Sequence, residues 1–391
     1  MPDLISVIEL LLIALAVALL TRRTNRPYTI ALVIWGLALG LLHIFEPVQL
    51  TKEMVLAVFL PPLLFEGALH TKKTILRKRS GAIFGMAIAG TLLTALIVGG
   101  ATTLLLDLDI LVALLLGVII APTDPISVLA TFKQSNVDEE LATIVEGESL
   151  FNDGIAVVLY VILLGAIEGS SLNLWVGLGT LLTVMTGGAL IGLVIGFLTT
   201  RLMKNVDDHL VETLTTLIAA YGAYLLAEQF HVSGVIAVVL AGIVVGNRGL
   251  NSTANVSRRR LTDFWEIVAF LANSIVFLLI GFELQPDQLA GTLLWALLIF
   301  VILMAGRAAL TYTLGAIIHR KRGDLPLSWR HVIVWGGIRG AVPVALALGL
   351  PVWMPARSDL VGIIFGVVLF SLLGQGLSIS GLLRRLGITN V

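Results

Sequence analysis

Long apolar runs, interrupted at short intervals by a few polar residues, set the pattern of this chain from end to end. A helix that spans a membrane needs about 20 mostly apolar residues. Runs of that kind lie near 4–20, 28–45, 54–69, 81–106, 110–132, 148–167, 173–200, 210–229, 232–247, 261–283, 289–318, 329–350 and 359–383. They predict an all-α multi-pass membrane protein of about 13 transmembrane helices. The first run carries Asp3 and Glu9 where a basic leader would stand, so it reads as a retained helix and not a cleaved signal peptide. Under ten residues follow the last run, so no separate soluble domain is expected, and control falls to the membrane domain or a separate partner.

The basic residues test that count. Connections after odd-numbered runs hold 21 of the 25 lysines and arginines, and those after even-numbered runs hold only Lys52 and Arg357. The remaining two, Arg307 and Arg339, lie inside runs. Cytoplasmic loops carry the excess of Lys and Arg. The chain is therefore expected in a cell (plasma or inner) membrane with its N-terminus outside and its C-terminus cytoplasmic.

Composition agrees. The chain is 58% hydrophobic and 13% charged, with a mean hydropathy of +1.01, against about 45–50% and 25% for a soluble domain. A formal net charge of zero gives no bias toward nucleic acid. With no cysteine there is no disulfide, thiol catalysis or Cys-ligated metal. The six histidines sit mostly near run ends and read as interfacial.

Two runs are punctuated in their middles. The fifth reads LLLGVIIAPTDPISVLATF, where Pro122 and Pro125 bracket Thr123 and Asp124. Each proline removes a backbone donor and clashes with the preceding turn, so helical bonding is expected to fail there. The twelfth has Gly336, Gly337, Gly340 and Pro343 around Arg339. Unwound backbone at membrane depth is tolerated only when it is buried in protein or lines a watery cavity. The two runs are seven apart, so runs 1–6 and 8–13 would form inverted repeats around run 7 as linker. Paired broken helices in inverted halves mark a midplane site in a secondary transporter. In run 7, Gly188, Gly192 and Gly196 share one face, a spacing that permits close helix approach and reads as packing.

Charges inside the runs are costly. Glu66, Asp124, Glu148, Asp153, Arg307 and Arg339 would together cost on the order of 15–20 kcal/mol on the insertion scale unless paired or hydrated. Arginine does not usefully titrate, so its expected task is to hold an acid ionised. Two acids remain in excess and are candidates to bind a cation or a proton. Oxygen ligands of this kind suit a hard ion. In EGESLFNDGIAVVLY (146–160), Ser149 and Asp153 share one helical face, and Glu148 and Asn152 share the next. Glu146 reads as an acid near a helix N-terminus, favoured by the dipole.

Two acids on adjacent helices would also suit an intramembrane aspartyl protease. The GxGD signature is absent, however, and such an enzyme explains neither the arginines nor the second break. A cation channel would share the acids but would conduct without stoichiometric proton movement.

The segments APTDP (121–125), EGESLFNDGIAVVLY, FEGAL (65–69) and WGGIRGAVPVALAL (335–348) together resemble the cation/proton antiporters, specifically the NhaP-type sodium/proton exchangers related to the eukaryotic NHE proteins. The similarity runs over essentially the whole chain. It implies thirteen helices, crossed unwound segments in runs 5 and 12, a homodimer through the membrane domain, and elevator-like alternating access. The implied division is a dimerisation part (about 1–70 and 205–285), an ion-transport core (about 81–167 and 289–391) and a linker helix (about 173–200).

By this resemblance Asp153 is the ion- and proton-binding acid, with Asn152 beside it. Ser149, Glu66 and the Thr123 carbonyl are further Na⁺ ligands, and Asp124 contributes directly or through water. Glu148 is a structural acid paired with an arginine, for which Arg307 and Arg339 both fit. The expected function is exchange of Na⁺ (or Li⁺) for H⁺ by a secondary transporter, not an enzyme, with no cofactor beyond the transported ions. A K⁺/H⁺ exchanger with the same site is the alternative. Because Asn152 does not titrate, one proton is expected to replace one Na⁺ at Asp153, which makes the exchange electroneutral.

Overall fold

The computed structural model describes residues 4–21, 28–42, 50–169, 174–206, 208–250, 255–284, 286–322 and 325–388. Asp3 and the arginines of the first connection lie outside the described residues. Every helix among the described residues is α or π, and the architecture is all-α.

The elements are α1 (Leu4–Thr21), α2 (Tyr28–Leu41), α3 (Met54–His70), α4 (Lys73–Leu106), α5a (Ile110–Ile120), α5b (Ile126–Gln134) and α6 (Glu139–Ile167). They continue with α7 (Leu174–Met203), α8 (His209–Gln229), α9 (Gly234–Gly249), α10 (Asn255–Glu283), α11 (Pro286–Arg322), α12a (Leu327–Trp335), α12b (Ala341–Leu348) and α13 (Arg357–Arg385). Each predicted run corresponds to one helix, or to one helix in two pieces. Seven of the described helices are long and apolar enough to cross a membrane by themselves. Leu12, Leu96, Leu182 and Leu294 are exposed on the outside of the bundle, as lipid-facing side chains would be.

Several helices begin earlier than their apolar runs, α4 and α6 by the most. Helix α4 starts at Lys73, not near 81, and α6 starts at Glu139, not near 148. At α6 the cause is a cap: the Asp138 carboxylate accepts from the Glu140 amide at 2.7 Å, satisfying one of the free N–H groups of the first turn. The two polar extensions then pair with each other. Lys78 Nζ lies 2.6 Å from Glu140 Oε1, Arg79 Nε donates to Glu140 Oε2 at 2.8 Å, and Trp329 stacks on the Arg79 guanidinium. This overturns the reading of Glu146 as a helix-end acid: seven residues of helix precede it.

Packing falls into two sets. Helices α4, α5a, α6, α11 and α13 pack on one another; in the other set α3, α7 and α8 pack on α9, and α10 packs on both α2 and α3. The α7–α9 contact is the closest kind, because a Cβ at Gly188 or Gly192 would strike the carbonyl oxygens of Ser233 or Ala237.

Candidate functional site

Both punctuated helices break where their sequences require it. Helix α5a ends at Ile120, residues 121–125 are non-helical, and α5b starts at Ile126. Helix α12a ends at Trp335, and α12b starts at Ala341 after the glycine-rich stretch. The two stretches meet: the Asp124 amide donates to the Ile338 carbonyl at 2.6 Å.

A broken helix exposes unsatisfied carbonyls at its new C-terminus, where the dipole favours positive charge. Here each break receives a buried arginine. Arg339 Nη1 donates to the carbonyls of Ala121 and of Pro122, the latter at 3.0 Å. Arg307 Nη2 donates to the Ile333 carbonyl at 2.9 Å and Nε to that of Val334 at 3.3 Å. Of the two arginines that fit Glu148, Arg307 is the one in contact, through Nη1–Oε1 at 2.7 Å and Nη2–Oε2 at 3.1 Å. Arg339 turns instead to backbone carbonyls.

Two residues of α13 complete this framework. Ser371 Oγ accepts from the Arg339 amide at 2.9 Å, and Gln375 Nε2 donates to the Trp335 carbonyl at 2.9 Å. Both are fully buried on a π turn, Ser371–Gly376. Nothing in the apolar pattern singled them out. The glycines of α12 leave room for charge: a Cβ at Gly337 would meet the Arg307 guanidinium, and one at Gly340 the Asp124 carboxylate.

Helix α6 is stitched to the unwound part of α5 along one line. Asn152 Nδ2 donates to Thr123 Oγ1 at 2.9 Å, while the Thr123 amide donates to Asn152 Oδ1 at 3.4 Å. The Ser149 hydroxyl donates to the Thr123 carbonyl. Asn152 is thus committed on both sides of its amide.

Beside this seam lies a cavity of about 60 Å³, room for a few waters at roughly 10–15 Å³ each. Its polar lining includes Glu66, Thr123, Asp124, Glu146, Ser149, Asp153 and Asn273, and its apolar lining includes Leu64 and Phe277. Asp153 and Asp124 are 6% and 9% exposed. Asp124 Oδ1 accepts from the Ile126 amide at 3.0 Å, whereas Asp124 Oδ2 and Asp153 Oδ1 are buried with no hydrogen-bond partner among the described residues. Glu66 stands at the edge, with the His70 ring nitrogen 3.3 Å from its carboxylate. Among the described residues no three carboxylate or imidazole side chains converge closely enough to hold a metal ion. A cation here would draw on mixed oxygen donors: carboxylate, hydroxyl, carbonyl and water.

Glu146 and Asn273 were absent from the expected site. The signal for Glu146 was available, because it stands three and seven residues before Ser149 and Asp153, on the same helical face. Its proximity to a supposed helix end concealed it.

Comparison with known proteins extends this picture over the whole chain. The family model described as sodium/hydrogen exchanger, transmembrane, matches residues 10–385. The chain is 38% identical to the Na⁺/H⁺ antiporter NhaG of Bacillus atrophaeus, covering 96% of this chain and 74% of that protein. It is 41% identical to the Na⁺/H⁺ antiporter ApNhaP of Aphanothece halophytica, covering 93% and 70%. The fold is similar to that of the sodium proton antiporter MjNhaP1 from Methanocaldococcus jannaschii, with a TM-score of 0.80 at 22% identity over 97% of this chain and 98% of that one. The chain belongs to the transmembrane sodium/hydrogen exchanger family.

Proposed function

We propose that this protein exchanges Na⁺ for H⁺ across a membrane, with Asp153 as the carboxylate that binds either ion. One observation carries the proposal: Asp153 and Asp124 both line a small cavity, and each has a buried carboxylate oxygen without a hydrogen-bond partner among the described residues. A buried charge left in that state is costly unless a proton or a cation completes it. A cation beside a carboxylate disfavours its protonated form, so the two ligands compete for one place and each drives the other across.

Ser149, the Thr123 carbonyl, Glu66 and Asp124 would complete the Na⁺ shell with water. Glu148, Arg307 and Arg339 serve the frame. Asn152 carries no charge, so one Na⁺ leaves the loaded site with the same charge as one proton, and the exchange is electroneutral.

The two packing sets support a moving core of α4–α6 and α11–α13 against a static part that includes α2, α3 and α8–α10, with α7 between them. An elevator-like shift of that core would expose the cavity alternately. Dimerisation would use the static part, and the asymmetry of basic residues supports a cytoplasmic C-terminus. Family membership makes the chain a secondary transporter and not an aspartyl protease or other enzyme.

The test is dissipation of a pH gradient in proteoliposomes, followed with a pH-sensitive dye on adding Na⁺, Li⁺ or K⁺. Recovery with Na⁺ and Li⁺ but not K⁺ supports the reading. Recovery with K⁺ alone replaces it with a K⁺/H⁺ exchanger using the same site, and no recovery with any of the three overturns it.

A further inference from the structure

Glu146 is a carboxylate that the framework does not use. It forms no ion pair among the described residues: the nearby basic side chains are engaged elsewhere, Lys72 with Glu139, Lys78 and Arg79 with Glu140, and His70 with Glu66. Its contacts are modest. Thr71 Oγ1 lies 3.5 Å from Oε2, and Gly67 leaves space for the carboxylate, since a Cβ there would sit 3.3 Å from Oε1.

What Glu146 does face is the cavity. Glu66, Asp124, Glu146 and Asp153 are the charged residues of its lining, and no lysine, arginine or histidine is among them. Asp124 and Asp153 line the same space, and each has one buried oxygen without a hydrogen-bond partner among the described residues. Glu146 and Asp153 lie on one face of α6, two turns apart, or about 10 Å along the axis. A low-dielectric cleft lined by one sign of charge focuses its field and concentrates counter-ions.

We propose that Glu146 is a loading carboxylate for the exchanged cation: it holds the hydrated ion at one end of the cavity and passes it, alongside Glu66, to Asp153. This rests on the exchange function proposed above and adds a specific residue to it. A unit charge about 10 Å from the final site, in a partly hydrated cleft, biases cation occupancy by roughly three- to tenfold. Its effect belongs in the Na⁺ concentration for half-maximal rate, not in the maximal rate, because Asp153 still carries the ion.

The experiment is the Na⁺ dependence of initial proton flux in proteoliposomes of the full chain, for wild type, Glu146→Gln, Glu146→Asp and Asp153→Asn. The expected result for Glu146→Gln is a half-saturating Na⁺ concentration raised roughly three- to tenfold with a maximal rate close to wild type. Glu146→Asp should return it close to wild type. Added choline chloride should shrink the difference, because salt screens a field but does not repair a fold. If Glu146→Gln does not fold, Glu146→Ser takes its place with the same expectation.

An unchanged half-saturation, with wild type active and Asp153→Asn inactive, overturns the loading role alone. So does a loss of maximal rate that Glu146→Asp fails to rescue, which would make Glu146 a structural residue. An inactive wild type, or an active Asp153→Asn, overturns the exchange function and the loading role together.

Discussion

Glu148 and Arg307 face each other in a two-pronged ion pair, 2.7 and 3.1 Å long, and the same guanidinium reaches the carbonyls of Ile333 and Val334 at the end of α12a. One side chain thereby joins α6, α11 and a broken helix end. The pair is buried, with Glu148 and Arg307 only 2% and 8% exposed. Removing one member of a buried pair strands the other charge and costs about 3–5 kcal/mol. Glu148→Gln is therefore expected to lower the melting temperature in detergent, and Arg307→Lys to do so as well, since an ammonium cannot reproduce the guanidinium fork. A melt matching wild type for Glu148→Gln would contradict this role.

Gln375 is predicted to matter through the carbonyl it covers. Gln375→Leu leaves the Trp335 carbonyl and the Ser371 hydroxyl without their α13 partner, which costs about 1–3 kcal/mol. The thermal shift should be smaller than that of Glu148→Gln, and a larger one would contradict the ranking.

Gly340 has no room for a methyl group. The methyl of Gly340→Ala would collide with the Asp124 carboxylate, and overpacking of this sort costs about 1–3 kcal/mol. Because the displaced group lines the cavity, flux is expected to fall more than stability. Gly81→Ala, where a Cβ meets nothing within 4 Å, is the control and should leave both unchanged.

Electroneutral exchange predicts a rate indifferent to membrane potential. With the potential clamped by K⁺ and valinomycin across proteoliposomes, Na⁺-driven proton flux should be the same at zero and at an imposed negative potential. A steep dependence would show that more than one charge per Na⁺ is exchanged.

Local chemistry made much of this legible in the sequence. The thirteen helices could be read because lipid imposes a length and a polarity on each, and Pro122, Pro125 and the α12 glycines announced both breaks. Long-range partnership could not be read. Glu148 and Arg307 are 159 positions apart, and helical spacing around Glu148 says nothing about which arginine arrives. Ser371 and Gln375 look like ordinary small and polar residues until a helix end is placed against them. The true start of α6 was hidden because hydropathy falls at Glu139 and Glu140, whereas the backbone needs only the Asp138 cap to begin the helix there. Glu146 was misread for that reason.

If Asp153 carries both ions, its loss should abolish exchange without unfolding the protein. Wild-type and Asp153→Asn proteins, shown by their melts to be equally folded, are reconstituted side by side and their Na⁺-driven proton flux is measured. Wild type should give strong flux and Asp153→Asn none above empty liposomes at any Na⁺ concentration. Na⁺-dependent flux retained in Asp153→Asn would contradict that role.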